Sequence, residues 1–307
     1  MKRNFLTLLD LSRDELFHLL GRSAELKRFQ KQGNSFRPLE GKSFALLFEK
    51  HSTRTRLSFE VGISQLGGQA VYLSAEQTQL ARGEPVKDTA RVMGRYLDGI
   101  IIRNDRHEVQ EEFARFAGVP VINALSSLHH PCQVFADLFT LREAGLELRT
   151  MKLAYVGDPN NVFNSWVNAA ALTGCELALA SPRGFEPDRK VIKLAKQKGA
   201  LKLTLSHKPR EAVKGADVIY TDVWVSMGQE QAAAKKRAAF KGFQVDEKLV
   251  RASGKKTLVL HCLPAHRGEE IAEDVLESRA ELIFTQAENR LHSQKAILEF
   301  VVSGKER

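Results

Sequence analysis

Ser43-Phe44-Ala45-Leu46-Leu47-Phe48-Glu49-Lys50-His51-Ser52-Thr53-Arg54-Thr55-Arg56 is the stretch of this chain that says most about its fold. Its first six residues form an apolar run of strand length. Leu57, Phe59, Val61, Ile63 and Leu66 follow at spacings that read as a mostly buried helix. Three hydroxyl residues and two arginines therefore sit where a strand gives way to a helix. A helix start carries unpaired backbone N–H groups and a partial positive charge. Ser52, Thr53 and Thr55 add hydroxyl donors, and Arg54 and Arg56 add guanidinium forks. That composition suits a bound phosphate. A Ser-capped helix with two solvated arginines would use the same residues.

Outward from this junction, strands and helices alternate. Apolar runs predict strands at Ser43–Phe48, Gln69–Leu73, Gly99–Arg103 and Pro120–Ala124. Helices are expected at Thr53–Leu66, Pro85–Leu97, His107–Phe116 and Pro131–Glu143. Upstream, Ser12 and Glu15 make a capping box for a helix through Leu20. Gly145 to Thr150 reads as a linker, after which the alternation restarts. Strands are expected at Lys152–Val156, Glu176–Ala180, Lys202–Leu205, Asp217–Thr221 and Thr257–His261, with helices at Phe163–Leu172, Asp188–Lys198 and Glu211–Lys214. Repeated βα units build parallel sheets with helices on both faces. Two blocks of them predict an α/β protein of two doubly wound parallel-sheet domains. Ligands in such folds sit beyond the carboxyl ends of the strands.

Composition is consistent with an enzyme of this class. The 307 residues suffice for two domains of ordinary size, each with its own core. The net charge is +9, with Lys and Arg read as spread along the chain rather than blocked. No basic tract interleaved with aromatics points to nucleic acid. A positive field could steer a phosphorylated substrate, or the basicity could be plain lineage composition. Cys132, Cys175 and Cys262 show no CxxC spacing, which suggests reduced thiols in a cytoplasmic protein. No apolar run approaches the roughly 20 residues of a membrane-spanning helix. Asp10, Arg13 and Asp14 break the apolar N-terminus, so it does not read as a secretory signal.

Polar clusters fall at the predicted strand ends. Arg103 closes the third strand, and His130-Pro131-Cys132-Gln133 follows the fourth. Gly157-Asp158-Pro159-Asn160-Asn161 follows Lys152–Val156. Asp222-Val223-Trp224-Val225-Ser226-Met227-Gly228 and His261-Cys262-Leu263-Pro264 follow the last two strands. Each alone is weak, since a polar residue after a strand is often structural. Five on the ligand-facing side of the sheets point to a site.

These residues resemble the carbamoyltransferase family over essentially the whole chain. Ser-Thr-Arg-Thr-Arg at 52–56 and His-Pro-x-Gln at 130–133 are similar to its carbamoyl phosphate signature. Asp-x-Trp-x-Ser-Met-Gly at 222–228, His-Cys-Leu-Pro at 261–264 and Gln-Ala-Glu-Asn-Arg at 286–290 resemble its ornithine branch. The resemblance implies a carbamoyl phosphate domain over 1–144, with a C-terminal helix, 290–307, packing back on it. It implies a Rossmann-like ornithine domain over 145–289. The implied reaction transfers the carbamoyl group of carbamoyl phosphate to the δ-amine of L-ornithine, giving L-citrulline and phosphate in arginine biosynthesis.

The resemblance also assigns roles. Ser52, Thr53, Arg54 and Thr55 would cradle the phosphate, with Gln79 reaching in from a neighbouring subunit of a homotrimer. Thr55, Arg103 and His130 would face the carbonyl oxygen, where negative charge develops. Gln133, Cys262, Leu263 through its backbone, and Arg290 would hold the carbamoyl end. Asn161, Asp222, Ser226 and the backbone of Met227 would bind ornithine. Cys262 and Asp222 would assist loss of the amine proton; a thiol serves there only if its surroundings favour thiolate. An aspartate acceptor would be repelled by Asp222.

The sequence departs from the family pattern at Pro85, where Ser is frequent after Glu, at the end of the Gln79–Glu84 loop. No GxGxxG follows a strand, so no dinucleotide cofactor is expected. No His/Cys/Asp/Glu spacing suggests a metal. The expected partners are the two small substrates and identical subunits, without nucleic acid or membrane. The alternatives are a carbamoyltransferase for putrescine or aspartate, and a non-catalytic binding module on the same scaffold.

Overall fold

Strands of four to six residues separated by helices form two all-parallel sheets in the computed structural model, which describes residues 3–225 and 233–303. The chain divides into two units: residues through Phe139 together with those from Glu288 onward, and Thr140–Ala287.

In the first unit the strands are β1 (Ser43–Phe48), β2 (Gln69–Ser74), β3 (Gly99–Arg103) and β4 (Val121–Leu125). Their order is β2-β1-β3-β4. The chain runs outward from β1 in one direction to β2, then in the other to β3 and β4, so the switch point lies between β1 and β3. Parallel register pairs Phe48 with Arg103, which brings the ends of those two strands level. The helices are α1 (Arg13–Lys31), α2 (Thr53–Gln65), α3 (Val86–Tyr96), α4 (His107–Phe116) and α5 (Pro131–Glu143), the last crossing the unit boundary. Leu47, Ile100, Ile102 and Val121 of the sheet pack with Met93 of α3 and Phe113 of α4. Helix α3 can lie against the end of α4 because position 94 is glycine. A Cβ there would stand 1.6 Å from the Ala117 carbonyl oxygen.

In the second unit the strands are β5 (Lys152–Val156), β6 (Glu176–Ala180), β7 (Lys202–Ser206), β8 (Val218–Thr221) and β9 (Leu258–His261), ordered β7-β6-β5-β8-β9. The switch point lies between β5 and β8. Helices α6 (Asn161–Thr173), α7 (Arg189–Lys198) and α8 (Pro209–Val213) connect the first four strands. The short helices α9 (Ala233–Ala239), α10 (Glu247–Arg251) and α11 (Glu273–Ser278) were not anticipated from the sequence. Each is too brief to show a helical period. The last helix, α12, runs Ala280–Ser303 and so begins before residue 290. Among the described residues no helix is long and apolar enough to cross a membrane.

Further expectations need correction. Helix α1 runs on to Lys31 rather than ending at Leu20. Helix α6 begins at Asn161 rather than Phe163, because Asn160 caps it by accepting from the Val162 and Phe163 amides. The positive charge is also less evenly spread than expected. Residues 189–215 hold nine Lys and Arg, all exposed, against the single acid Glu211. Apolar residues at helix and strand spacing separate these cations, which hides the concentration from a search for charge blocks.

Within the first unit, α12 carries a buried polar network. Lys27 Nζ donates to Asn289 Oδ1 at 2.8 Å, and Lys295 Nζ donates to Gln65 Oε1 at 2.9 Å and to Gln30 Oε1. Burial, with Lys295 and Lys27 adding repulsion, lowers the His292 imidazole to about 4, against the pull of Glu288. The unfolded chain therefore takes up a proton near pH 6.5 that the native fold refuses until about pH 4. Stability is expected to fall on acidification through that window, by up to roughly 3 kcal/mol at 1.36 per unit. Urea midpoints measured across pH 4–7 should show this slope in the native protein and a shallower one in His292→Gln. Equal slopes would remove His292 from the acid response.

Candidate active site

In the first unit the loops after β1, β3 and β4 all leave the carboxyl edge of one sheet, and they carry the polar residues singled out from the sequence. Ser52 is the N-cap of α2, its hydroxyl accepting from the Thr55 amide at 3.3 Å. The Thr53 and Arg54 amides remain as donors with no protein acceptor among the described residues. Thr53 and Arg54 are exposed, and Thr55 is buried. Arg56 turns elsewhere, pairing with Glu60 at 2.9 Å and lying over the Tyr72 ring.

Thr55 gathers two further arginines. Arg103 Nη1 donates to its hydroxyl at 3.3 Å, and Arg290 Nη2 donates to the same oxygen at 3.5 Å. Arg290 Nη1 donates to Gln133 Oε1 at 2.6 Å, and Gln133 Nε2 donates to Asp137 Oδ1 at 2.8 Å. The Gln133 amide is thus oriented from both ends, with one N–H still to give. Burial chiefly, then Arg290 and Arg54, depresses the Arg103 guanidinium to about 10. Asp105 opposes this effect and is itself paired with Lys50 at 2.6 Å. Two guanidinium groups therefore meet at one hydroxyl, with Arg54 close enough to repel Arg103 and with little neutralising carboxylate. His130 is buried, and burial together with Arg290 and Arg103 keeps its imidazole neutral. The cluster has the positive charge and the hydrogen-bond donors that an anion would need. Gln79 is exposed in a short helical turn, Gln79–Arg82.

The second unit's polar residues gather around Asp222, which follows β8 at the switch point. Its Oδ1 accepts from the Val223 amide at 2.8 Å and from the Cys262 thiol at 3.0 Å. Its Oδ2 accepts from Asn160 Nδ2 at 2.6 Å. Asn160 was passed over in the sequence reading in favour of its neighbour Asn161. It has two jobs: its Oδ1 caps α6 and also accepts from the Tyr155 hydroxyl at 3.2 Å. One amide thereby ties strand β5, helix α6 and Asp222 together. Asn161 occupies the first turn of α6, half-buried. Nearby, Asp158 pairs with Lys236 at 2.8 Å. Burial, with Asp222 adding repulsion, raises the Asp158 carboxyl despite Lys236. Cys262 and Leu263 follow β9, both half-buried, and Leu263 has left-handed backbone, φ 57°. Ser226 and Met227 lie outside the described residues.

A carboxylate with three of its lone-pair positions filled by fixed donors is oriented and still able to accept from a cation. Asp222, His261 and Cys262 could offer ligand atoms to a metal ion, as could His266, Glu269 and Glu270. Asp222, His261, Cys262, Glu269 and Glu270 already have side-chain hydrogen-bond partners within the unit. His261 Nδ1 accepts from the Leu263 amide, and its Nε2 faces Glu270. Glu269 is bonded through both oxygens to Arg237.

Comparison with known proteins agrees with this layout. Residues 3–143 match the family described as aspartate/ornithine carbamoyltransferase, carbamoyl-P binding domain. Residues 149–301 match the corresponding Asp/Orn binding domain. The chain is 53% identical to an ornithine carbamoyltransferase of Geobacter sulfurreducens over 298 residues, 97% of this chain and 98% of that protein. It is similar to the solved ornithine carbamoyltransferase of Pyrococcus furiosus, with TM-score 0.94, 47% identity, and coverage of 99% and 98% of the two chains. The anabolic ornithine carbamoyltransferase of Campylobacter jejuni gives TM-score 0.93 at 43% identity, covering 99% of this chain and all of that one.

Proposed function

Because the chain belongs to the aspartate/ornithine carbamoyltransferase family, we infer that it transfers the carbamoyl group of carbamoyl phosphate to the δ-amine of L-ornithine, yielding L-citrulline and phosphate. The observation that carries this reading is the gathering of Arg54, Arg103 and Arg290 near Thr55 with little neutralising carboxylate. The Thr53 and Arg54 amides, the Ser52 and Thr53 hydroxyls and Arg54 take the phosphate. Arg103, Thr55 and His130 donate to the carbonyl oxygen as the amine adds to carbon and charge builds there. Gln133, Arg290, Cys262 and the Leu263 backbone hold the carbamoyl group. The new C–N bond forms, the bridging C–O bond breaks, and phosphate leaves with that oxygen. The amine gives up its proton toward the Asp222–Cys262 pair.

On the acceptor side, Asp222 meets an ammonium of ornithine, and Asn161, Ser226 and the Met227 backbone complete the recognition. Aspartate would bring a second carboxylate against Asp222. Putrescine would satisfy Asp222 but leave donors meant for an α-carboxylate idle, so ornithine is favoured. The phosphate assignment is tested by calorimetric titration with carbamoyl phosphate. Arg54→Ala should weaken binding by roughly 2–5 kcal/mol, the cost of truncating one partner of a charge pair that becomes buried when the phosphate binds. Unchanged affinity in a folded variant would remove Arg54 from the site.

The proposal extends to assembly and setting. We read the chain as a cytoplasmic homotrimer of arginine biosynthesis, with Gln79 completing a neighbour's phosphate cradle. Three unbridged cysteines agree with a reducing compartment. Leu57 is 53% exposed and Val61 40% on α2, and Val71 39% on edge strand β2, as expected of a face covered by another subunit. Mixing Gln79→Ala chains with Arg54→Ala chains, then unfolding and reassembling them, should restore activity that neither has alone. Mixed oligomers that form but stay inactive would contradict the shared cradle.

A further inference from the structure

Cys262 lies between two residues whose hydrogen bonds form a clamp. His261 is fully buried, and its backbone N–H donates to Gln286 Oε1 at 3.2 Å. Its ring is held on both sides. Leu263 N–H donates to Nδ1 at 2.9 Å, and an amide can only donate, so Nδ1 carries no proton. Nε2 therefore bears the ring hydrogen and gives it to Glu270 Oε1 at 3.1 Å. That same oxygen accepts from the His266 amide at 2.6 Å, and Glu270 is fully buried. The Glu270 backbone is fixed as well, its carbonyl accepting from the Val245 amide at 2.8 Å.

The clamped residue has an unfavourable backbone. Leu263 has φ 57°, a region that costs a bulky L-residue energy and persists only where surrounding bonds hold it. Among the described residues its amide donates to His261 Nδ1 alone. If the ring proton moved to Nδ1, that nitrogen and the amide would present two hydrogens to each other. Glu270 prevents this by accepting at Nε2. The relay runs from Glu270 through His261 to Leu263, and it ends on the two residues that flank the Cys262–Asp222 contact.

We propose that Glu270 and His261 are positioning residues for the transfer reaction: Glu270 locks His261 in its Nε2–H tautomer, and Nδ1 then holds Leu263 and Cys262 in the geometry the reaction uses. This rests on the carbamoyltransferase reading above for its consequence in turnover. The lock itself concerns hydrogen bonds only. Neither group contacts a substrate in this scheme.

Long-range proton–nitrogen NMR correlations on histidine-labelled protein report the His261 tautomer without any substrate. The wild type and Glu270→Gln, whose amide oxygen still accepts, should show Nε2–H. Glu270→Met should show a mixture of tautomers. Its kcat should fall at least about tenfold, the loss typical of one buried hydrogen bond, with Glu270→Gln close to wild type. If Glu270 variants do not fold, His261→Asn and His261→Leu decide the matter. Asn can accept from an amide two residues on and Leu cannot, so Asn should retain clearly more kcat. An Nδ1–H ring in the wild type would overturn the lock. So would equal losses in the Gln and Met variants, or equal losses in Asn and Leu. A chain that makes no citrulline would sink the carbamoyltransferase reading, while the NMR result would still decide the lock.

Discussion

Arg103→Met is expected to lower kcat for citrulline formation by about 10²–10³, the usual loss on removing one donor to a developing oxyanion. Arg103 sits at the end of β3, level with the end of β1, and its Nη1 is fixed on Thr55. Its Nε is buried and has no hydrogen-bond partner among the described residues. A buried guanidinium with an unused N–H is costly unless something else takes that hydrogen. A substrate oxygen is the natural acceptor. The surrounding repulsion from Arg290 and Arg54 also makes an arriving anion more welcome than a neutral ligand. Met keeps much of the apolar stem and removes the donors, so the fold should persist. Carbamoyl phosphate affinity should change much less than kcat, because the carbonyl oxygen gains its charge only as the amine adds. A variant with wild-type kcat would take Arg103 out of the chemistry. One that lost only substrate affinity would make it a binding group.

Asp222→Asn should cut kcat/KM for ornithine by roughly 30- to 5,000-fold, corresponding to 2–5 kcal/mol for one member of a buried charge pair. The change keeps shape and removes charge. It also places an amide NH2 where Oδ1 or Oδ2 now accepts. Oδ1 takes the Val223 amide and the Cys262 thiol, and Oδ2 takes Asn160 Nδ2. One of these donors would then face another donor. Carbamoyl phosphate binding should be nearly untouched, because its phosphate and most of its carbamoyl contacts are assigned to residues of the first unit. Equal loss of carbamoyl phosphate affinity would mean that the substitution disturbs more than ornithine. Wild-type use of ornithine would show that Asp222 does not meet its ammonium.

Much of this architecture was legible because buried parallel strands are written as continuous apolar runs. Gly99 to Ile102 and Leu153 to Val156 are buried on both faces and read directly. The Ser52–Arg56 junction was legible because a cap, an anion and a helix start need the same residue types. The roles of neighbours were less so. Asn160 and Asn161 are the same residue side by side, and nothing local tells which one bonds Asp222, 62 positions later. Glu270 could not be found from sequence, since its partner His261 reaches it through an irregular stretch with no period to read. Arg290 lies within a helix and joins Thr55 across 235 positions; only the family resemblance singled it out.

The division of labour, with arginines for carbamoyl phosphate and Asp222 for an amino-acid ammonium, is tested most directly by product formation. Purified chain is supplied with carbamoyl phosphate and, in turn, L-ornithine, putrescine and L-aspartate, and each carbamoylated product is quantified against phosphate release. The account predicts citrulline formed one-for-one with phosphate, with kcat/KM for ornithine far above that for either other acceptor. Preferred carbamoylation of putrescine or aspartate, or no transfer to any of the three by folded protein, would contradict it.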